Sequence, residues 1–136
     1  MHISRSVVVD ATPTDVMKIV KGPEGWADWH PDIQKVEVAD FEDKQLLRVL
    51  FEGGDSVIEK SLGSDGMSFG YQVVAGQSSI TGYQGTVTVA KVGNQSVIVW
   101  NVNFEPLAPG CYESIAQEFM EVGLEALAKR FVRRSF

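Results

Sequence analysis

The last part of the chain carries a helical pattern of apolar residues. Between residues 111 and 134, apolar side chains recur every three or four positions, and most glutamates fall on the other positions. The apolar stripe consists of Ile115, Phe119, Val122, Gly123, Ala126, Leu127 and Phe131. The pattern predicts one long amphipathic helix over residues 111–134 that buries one face against another layer of the protein.

Short runs rich in β-branched and aromatic residues precede this helix. Gly, Asn, Asp and Ser cluster between the runs, as is typical of tight turns between antiparallel strands. The runs predict strands at residues 3–10, 33–41, 45–51, 56–62, 67–74, 80–92 and 96–104. The sequence therefore predicts an antiparallel sheet of about seven strands.

Two short helices are predicted after the first strand. Thr12 suits a helix N-cap, Pro13 suits the first helical position, and Asp15 suits the positive end of the helix dipole. These signals predict a helix over residues 15–21. A second short helical turn is expected over residues 24–29, before the next strand begins.

The order of elements predicts an α+β fold in which a curved antiparallel sheet wraps around the C-terminal helix. A curved sheet and a straight helix need not touch everywhere, so a gap between them is expected to form a pocket for a small apolar molecule. No linker or low-complexity segment interrupts the pattern. We therefore expect a single ligand-binding domain over residues 1–136.

Period-two alternation predicts which strand residues face the helix. Tyr71, Tyr83 and Trp100 fall on the strand faces that carry the large apolar residues. Gly85 lies beside Tyr83 on the same face, where it leaves room for a ligand or for a helix side chain.

Composition and charge restrict the class of partner. Twelve basic and eighteen acidic residues give a net charge of −6, which disfavours binding to nucleic acid or to an anionic membrane. No segment approaches the roughly 18–20 apolar residues of a membrane span, and the N-terminal residues lack a signal-peptide pattern. The one cysteine, Cys111, cannot form an intramolecular disulfide, and we therefore expect the protein in the reducing cytoplasm. A monomer or a homodimer is expected.

Motifs for cofactors and metals are missing from the sequence. There is no GxGxxG, GxxxxGK or GxSxG arrangement, which argues against nucleotide cofactors and against a serine hydrolase. His2, His30 and Cys111 lack the spacing of a metal-ligand set. We therefore expect no cofactor and no metal.

Three stretches within the predicted order of elements carry a family resemblance. They are GWADWHPDI at residues 25–33, VIEK at residues 57–60, and Trp100 followed by FEP at residues 104–106. The chain resembles the START/Bet v 1-like (SRPBCC) superfamily, and within it the bacterial polyketide cyclase/dehydrase-like group. Residues 73–83 also resemble the corresponding part of the plant abscisic-acid receptors.

The resemblance implies a helix-grip fold with a hydrophobic cavity between sheet and long helix, which relatives use to hold lipids, sterols, hormones, polyketides or other aromatic compounds. It implies that Glu59 and Tyr83 face this cavity, because relatives keep an acidic and an aromatic residue there. Gly82 departs from the family pattern, in which Asn or Asp is common. In the hormone receptors, loops matching residues 52–56 and 76–79 close over the ligand, so a gate is expected here, although the loop residues differ.

The polar residues near this cavity are the candidates for chemistry. Glu59 leads, because burial in an apolar cavity raises the pKa of a carboxyl group toward neutral pH; the alternative is a structural ion pair with Arg48 on the neighbouring strand. His30, near the predicted pocket mouth, is a second acid/base candidate or else a partly exposed turn residue. The hydroxyl groups of Tyr71 and Tyr83 could orient a ligand or serve packing alone.

Three functional hypotheses follow. The first is binding of a lipid-like, polyketide-like or aromatic ligand, and the second is a polyketide cyclase/dehydrase-type or isomerase enzyme in the same cavity with Glu59 or His30 as acid/base. The low number of convergent polar groups favours binding. The predicted ligand-binding residues are Trp29, Arg48, Val57, Glu59, Tyr71, Tyr83, Gly85, Trp100, Phe119 and Gly123. The third hypothesis is an interaction domain without a small ligand, whose cavity is filled by Trp26, Trp29, Trp100, Phe119 and Met120.

Overall fold

A seven-stranded antiparallel sheet forms most of the structure. The computed structural model describes residues 1–77 and 79–132, and the strand order within them is β1-β7-β6-β5-β4-β3-β2. The strands are β1 (His2–Val9), β2 (Ile33–Val38), β3 (Leu46–Phe51), β4 (Ser56–Ser64), β5 (Ser68–Ala75), β6 (Ile80–Val92) and β7 (Gln95–Pro106). The predicted α+β fold with its curved sheet is confirmed.

Two short helices follow β1 and lead the chain to the opposite edge of the sheet. Helix α1 (Pro13–Val20) begins two residues before the predicted span of 15–21. Its predicted N-cap is present, since the Thr12 hydroxyl accepts a hydrogen bond from the Asp15 N–H at 3.3 Å. A 3₁₀ turn (Pro23–Gly25) and helix α2 (Trp26–Trp29) come next. Because β1 pairs with β7 at one edge and β2 lies at the other, these helices bridge the two edges.

The C-terminal helix, residues 111–130, is built from three segments. They are α3 (Cys111–Ile115), a π-helical segment (Ala116–Glu121) and α4 (Val122–Arg130). The sequence pattern did not predict the π segment. Its wider turn brings Met120 into the core together with Leu124, whereas Phe119 of the predicted stripe is only half-buried.

The core lies between the sheet and the C-terminal helix. Inward-facing strand residues alternate with exposed ones, as on β7, where Ile98, Trp100 and Val102 are fully buried. Cross-strand register places Trp100 opposite Val87 and Gly85 opposite Tyr71. The inward faces predicted from period-two alternation are therefore confirmed.

Two further predicted boundaries were wrong. The strand predicted over residues 33–41 ends at Val38, because the carboxylates of Asp40 and Asp43 accept hydrogen bonds from backbone N–H groups two residues ahead and form turns. The helix predicted to residue 134 ends at Arg130, and Phe131 has left the helical conformation. Arg133 and Arg134 lie outside the described residues.

Candidate functional site

A cluster of aromatic rings fills the inner part of the space between sheet and helix. Trp26 stacks on Trp100 with ring centroids 5.3 Å apart, and Trp29 and Phe119 lie against the edges of Trp100 at 5.8 and 5.2 Å. Trp26 and Trp100 are fully buried. The third hypothesis expected these aromatic side chains to fill the space, and they fill its inner part. Trp29 and Trp100, which were predicted to contact a ligand, belong to this packed cluster and do not line the open cavity.

A cavity remains beside this cluster. It has a volume of about 160 Å³ and is lined by Phe51, Val57, Glu59, Tyr71, Val73, Gln77, Tyr83, Ser114, Ile115 and Phe119. An apolar cavity of ~150 Å³ is sufficient to bind a molecule of the size of benzene. We call this space the inner cavity.

An outer pocket of about 430 Å³ adjoins the inner cavity. The two spaces share the side chains of Phe51, Val57, Gln77, Ser114 and Ile115. The predicted gate loops both border the outer pocket, through Asp55 and Ser56 on one side and Gly76, Gln77 and Ser79 on the other. Sites for drug-sized ligands usually measure roughly 300–1,000 Å³, so the combined space suits a small organic molecule.

Glu59 on β4 places a buried carboxyl group in the wall of the inner cavity. Its side chain is 4% exposed, and its Oε1 accepts a hydrogen bond from the Trp26 Nε1–H at 2.9 Å. Burial raises the pKa of Glu59 to about 7, and the indole hydrogen bond opposes that rise only in part. Near neutral pH the group is therefore present in both protonated and ionised forms.

Tyr71 and Tyr83 form a hydroxyl pair in the same wall. Their oxygens are 3.1 Å apart, and the Tyr71 oxygen also accepts a hydrogen bond from the Trp100 Nε1–H at 3.0 Å. Burial raises the pKa of both phenols above the ordinary value for tyrosine, so both stay protonated near neutral pH. The pair carries two hydroxyl hydrogens and uses one of them internally, which leaves one hydrogen available to a ligand.

Gly85 provides space for Tyr71 and not for a ligand. A Cβ atom at Gly85 would lie 2.5 Å from the Tyr71 hydroxyl oxygen, well inside contact distance. The tyrosine ring therefore lies directly over this glycine. Of the two alternatives that the sequence left for Gly85, close packing is the one that the structure shows, although the packing partner is a strand residue.

Arg48 does not face the cavity. It is exposed, its register partner is Ile58 instead of Glu59, and its Nη1 lies 3.3 Å from an oxygen of Glu37. Residues directly opposite on antiparallel strands share a face, which puts Arg48 on the solvent side. The alternative of an ion pair between Arg48 and Glu59 is therefore excluded, and the predicted ligand contact of Arg48 was wrong.

His30 is a buried packing residue whose two ring nitrogens are both bonded to backbone. Nε2 donates to the Phe119 carbonyl oxygen at 2.8 Å, and Nδ1 accepts from the Asp32 N–H at 3.1 Å. Burial lowers the pKa of His30, which keeps the imidazole neutral. With both nitrogens occupied, this geometry gives no support to an acid/base role for His30.

Gly123 allows the C-terminal helix to approach His30 closely. A Cβ atom at this position would lie 2.6 Å from His30 Cδ2 and 3.0 Å from Trp29 Cζ3. Gly123 and Trp29 therefore belong to the packed helix contact and lie away from the lining of the inner cavity. Among the predicted ligand-binding residues, the lining contains Val57, Glu59, Tyr71, Tyr83 and Phe119.

Several lining residues were not among the predicted site residues. Val73 shares the predicted inward face of Tyr71, and Ile115 belongs to the helical stripe. No face was predicted for the strand of Phe51, although alternation with Leu47 and Val49 could have identified it. Gln77 and Ser114 are exposed polar residues at the junction of a loop and a helix. No sequence pattern marks them, because their placement depends on how the loop meets the helix.

The described residues contain neither a metal cluster nor a membrane-spanning helix. Within residues 1–77 and 79–132, no group of three or more His, Cys, Asp or Glu side chains is placed to hold a metal ion. Over the same residues, the helices lack the length and hydrophobicity that a membrane crossing requires.

The chain belongs to a protein family that combines ligand transport and enzymes. The family model described as polyketide cyclase / dehydrase and lipid transport matches residues 1–135. The family lies within the START/Bet v 1-like superfamily, as the sequence resemblance indicated. Its members bind hydrophobic ligands or act as aromatase/cyclases. No curated protein sequence matches the chain at a significant level.

Solved structures show the same fold at low sequence identity. The protein XoxI from Bacillus cereus is 22% identical, with a TM-score of 0.85 over 96% of this chain and 94% of that one. A START superfamily protein from Mycobacterium smegmatis is 18% identical, with a TM-score of 0.77 and 96% of each chain covered. The Zhui aromatase/cyclase from Streptomyces sp. R1128 is 17% identical, with a TM-score of 0.75 over 98% of this chain and 96% of that one.

Proposed function

We propose that this protein is a single-domain binder of a small, largely apolar molecule, held in the inner cavity with part of it extending into the outer pocket. The observation that carries the proposal is the composition of the inner cavity. Its walls are mostly apolar and aromatic, and two polar groups, the Glu59 carboxyl and the Tyr71–Tyr83 hydroxyl pair, meet at one side. Apolar walls with a few convergent polar groups are typical of small-molecule sites.

The size of the inner cavity limits the ligand. The aromatic cluster around Trp26 and Trp100 takes up space that would otherwise be open, and about 160 Å³ remains. A single aromatic ring or a short alkyl segment fits there, and the larger outer pocket holds the rest of the molecule. The proposed ligand is therefore smaller than a sterol or a two-chain lipid.

Neighbouring residues on β5 offer a matched test. Val73 lines the inner cavity, whereas Val74 points to the opposite face and is 47% exposed. We expect wild-type protein to enhance the fluorescence of the neutral probe N-phenyl-1-naphthylamine with a micromolar Kd. Val73→Trp places an indole in the cavity and should weaken binding at least about tenfold, while Val74→Trp should leave it unchanged.

Folding is checked separately from binding. Both variants should keep the wild-type circular dichroism spectrum, and Val73→Phe provides a smaller obstruction in case the indole disturbs the sheet. Equal probe binding by wild type, Val73→Trp and Val73→Phe would mean that the probe binds elsewhere, and the proposal would be wrong.

An enzyme that uses the same cavity is the second candidate. The observation in its favour is Glu59, whose pKa of about 7 suits proton transfer near neutral pH beside a cavity that can hold a substrate. Under this alternative Glu59 is the acid/base group. A polyketide-like compound incubated with the protein would be followed over time by liquid chromatography coupled to mass spectrometry. Wild type should produce a species that has lost water or has an altered retention time, and Glu59→Gln should produce neither.

A further inference from the structure

The charges that line the site are all of one sign. Glu59 lies in the inner cavity and Asp55 at the rim of the outer pocket. Among the described residues, the two linings contain no lysine, arginine or histidine. His30 stacks on the Phe119 ring with centroids 4.4 Å apart, and both of its nitrogens bond to backbone.

This arrangement disfavours an anionic ligand. A carboxylate or phosphate inside the cavity would lie close to Glu59, with no cation among the described lining residues to compensate it. Burying a charge without a partner is strongly unfavourable, because the charge loses its hydration and gains no compensating interaction. The overall charge of −6 acts in the same direction at longer range.

The aromatic walls favour a cation. Phe51, Tyr71, Tyr83 and Phe119 all line the inner cavity together with the Glu59 carboxyl. The Tyr71 and Tyr83 rings, on β5 and β6, lie 5.9 Å apart, and the Phe51 ring on β3 lies 6.1 Å from the Phe119 ring of the C-terminal helix. The faces of aromatic rings attract cations, and the attraction is stronger when the cation is desolvated.

We propose that the ligand is an organic cation: a protonated amine on a small aromatic or alkyl body, with the ammonium group against the Glu59 carboxylate and the body among the aromatic walls. This inference rests on the proposed binding function and adds the chemical class of the ligand. Asp55 at the rim assists the entry of a cation.

The protonation state of Glu59 gives the binding a pH dependence. Tyr71 and Tyr83 face it from β5 and β6 and stay protonated, and the helix side contributes the uncharged Ser114, Ile115 and Phe119. Glu59 is therefore the titrating group within the inner cavity. As pH rises through about 7 the carboxylate fraction increases, while an aliphatic amine stays protonated to about pH 10, so amine affinity should rise between pH 6 and pH 8.

Three ligands on one frame test the proposal. They are 2-phenylethylamine, the neutral 2-phenylethanol and the anionic 3-phenylpropanoate, each titrated by displacement of N-phenyl-1-naphthylamine at pH 6 and pH 8. At pH 8 we expect the amine to bind at least about tenfold more tightly than the alcohol, and the carboxylate to bind most weakly. At pH 6 the advantage of the amine should shrink.

Glu59→Gln tests the contribution of the carboxylate, because it removes the negative charge and keeps the size of the side chain. In this variant the preference for the amine over the alcohol should fall to near equality at both pH values. Glu37→Gln removes an exposed carboxylate on β2 and should keep the wild-type preference. If the alcohol or the carboxylate binds as tightly as the amine at pH 8, the cation proposal is overturned and the binding function stands. If neither the probe nor any of the three compounds binds, both proposals are overturned.

Discussion

At the scale of the residue, the central feature is one carboxyl group in an apolar wall. Glu59 receives a single hydrogen bond, from Trp26, among the described residues, and no cation faces it there. Ionising a buried carboxyl group costs free energy, because the charge is desolvated, whereas an exposed glutamate ionises in water without this cost. A site built for stability alone would carry an uncharged residue here, which supports a function for the carboxyl group.

Glu59→Gln should stabilise the protein at alkaline pH. Because the folded-state pKa is raised from 4.5 to about 7, the folded protein binds this proton more tightly than the unfolded chain does, and stability falls as pH rises from about 4.5 to 7. At about 1.4 kcal/mol for each pKa unit, the penalty at pH 8 approaches about 3 kcal/mol. Urea unfolding of the variant should show this gain at pH 8 and almost none at pH 4.5.

The same substitution at an exposed site is the control. Glu37→Gln should change the free energy of unfolding by less than about 0.5 kcal/mol at either pH. A Glu59→Gln variant that is no more stable than wild type at pH 8 would show that the wild-type carboxyl group is solvated or paired, contrary to the structure.

The sequence could predict which residues point inward but not which side chains meet. Alternation along the strands placed Tyr71 and Tyr83 on the inner face, and the family resemblance placed Glu59 there. All three side chains are buried. The bond from Trp26 joins residues 33 positions apart, and that between Trp100 and Tyr71 joins residues 29 apart. Such pairs depend on how strands and helices stack, and a one-dimensional pattern carries no information on that.

At the scale of the element, the π segment and His30 determine the position of the C-terminal helix. The carbonyl of Phe119 lies within the π segment and accepts its hydrogen bond from His30. Two helical elements distant in sequence are thereby joined through one imidazole. The stripe of apolar residues predicted the helix. It did not predict the π segment, because one extra residue in a helical turn changes the spacing of apolar residues too little to be recognised.

His30→Ala should destabilise the protein, because the role of the imidazole is structural. The substitution removes the His30 hydrogen bond to the Phe119 carbonyl, which keeps only the Val122 N–H as a donor, and it leaves the Asp32 N–H without its acceptor. It also opens a cavity in the aromatic cluster, and together these losses cost about 2–4 kcal/mol. His2, the other histidine, is exposed, and His2→Ala should cost less than about 0.5 kcal/mol. Thermal unfolding at pH 7.5 compares the two.

The acid side of the stability profile gives an independent check. Since burial lowers the pKa of His30 below its ordinary value of 6.5, the unfolded chain gains a proton as pH falls below 6.5 and the folded protein resists it. The contribution of His30 to the free energy of unfolding therefore decreases as the pH falls, and His30→Ala should remove this pH dependence. An unchanged difference between His30→Ala and wild type from pH 7.5 to pH 5 would contradict the bonding described for the imidazole.

At the scale of the whole molecule, the sheet, the helix and two loops enclose one continuous space. The fold was predictable because strand alternation, turn residues and one long amphipathic stripe all indicated the same architecture. The volume of the cavity was not, since it depends on how far Trp26, Trp29 and Trp100 fill the space. Side-chain packing of this kind is decided by three-dimensional fit.

The two loops at the outer pocket meet at Gly76. This residue has a φ of +98°, and a Cβ atom there would lie 2.7 Å from the Ser56 carbonyl oxygen. Gly76→Ala should therefore push the loops apart and accelerate release of N-phenyl-1-naphthylamine, measured by stopped-flow dilution. Gly54 also has a positive φ, of +93°, but has open space around it, so Gly54→Ala controls for backbone strain alone. Equal release rates in the two variants would show that the loop contact does not control exit.

The indole N–H signals of the three tryptophans test the location of the binding site most directly. In ¹H–¹⁵N spectra recorded during titration with N-phenyl-1-naphthylamine, the Trp26 signal should move, because its N–H bonds to Glu59 in the cavity wall, and the Trp100 signal should move through Tyr71. The Trp29 N–H is buried without a partner among the described residues and should move least. Saturable binding that leaves the Trp26 and Trp100 signals in place would contradict the central claim that the ligand occupies the inner cavity.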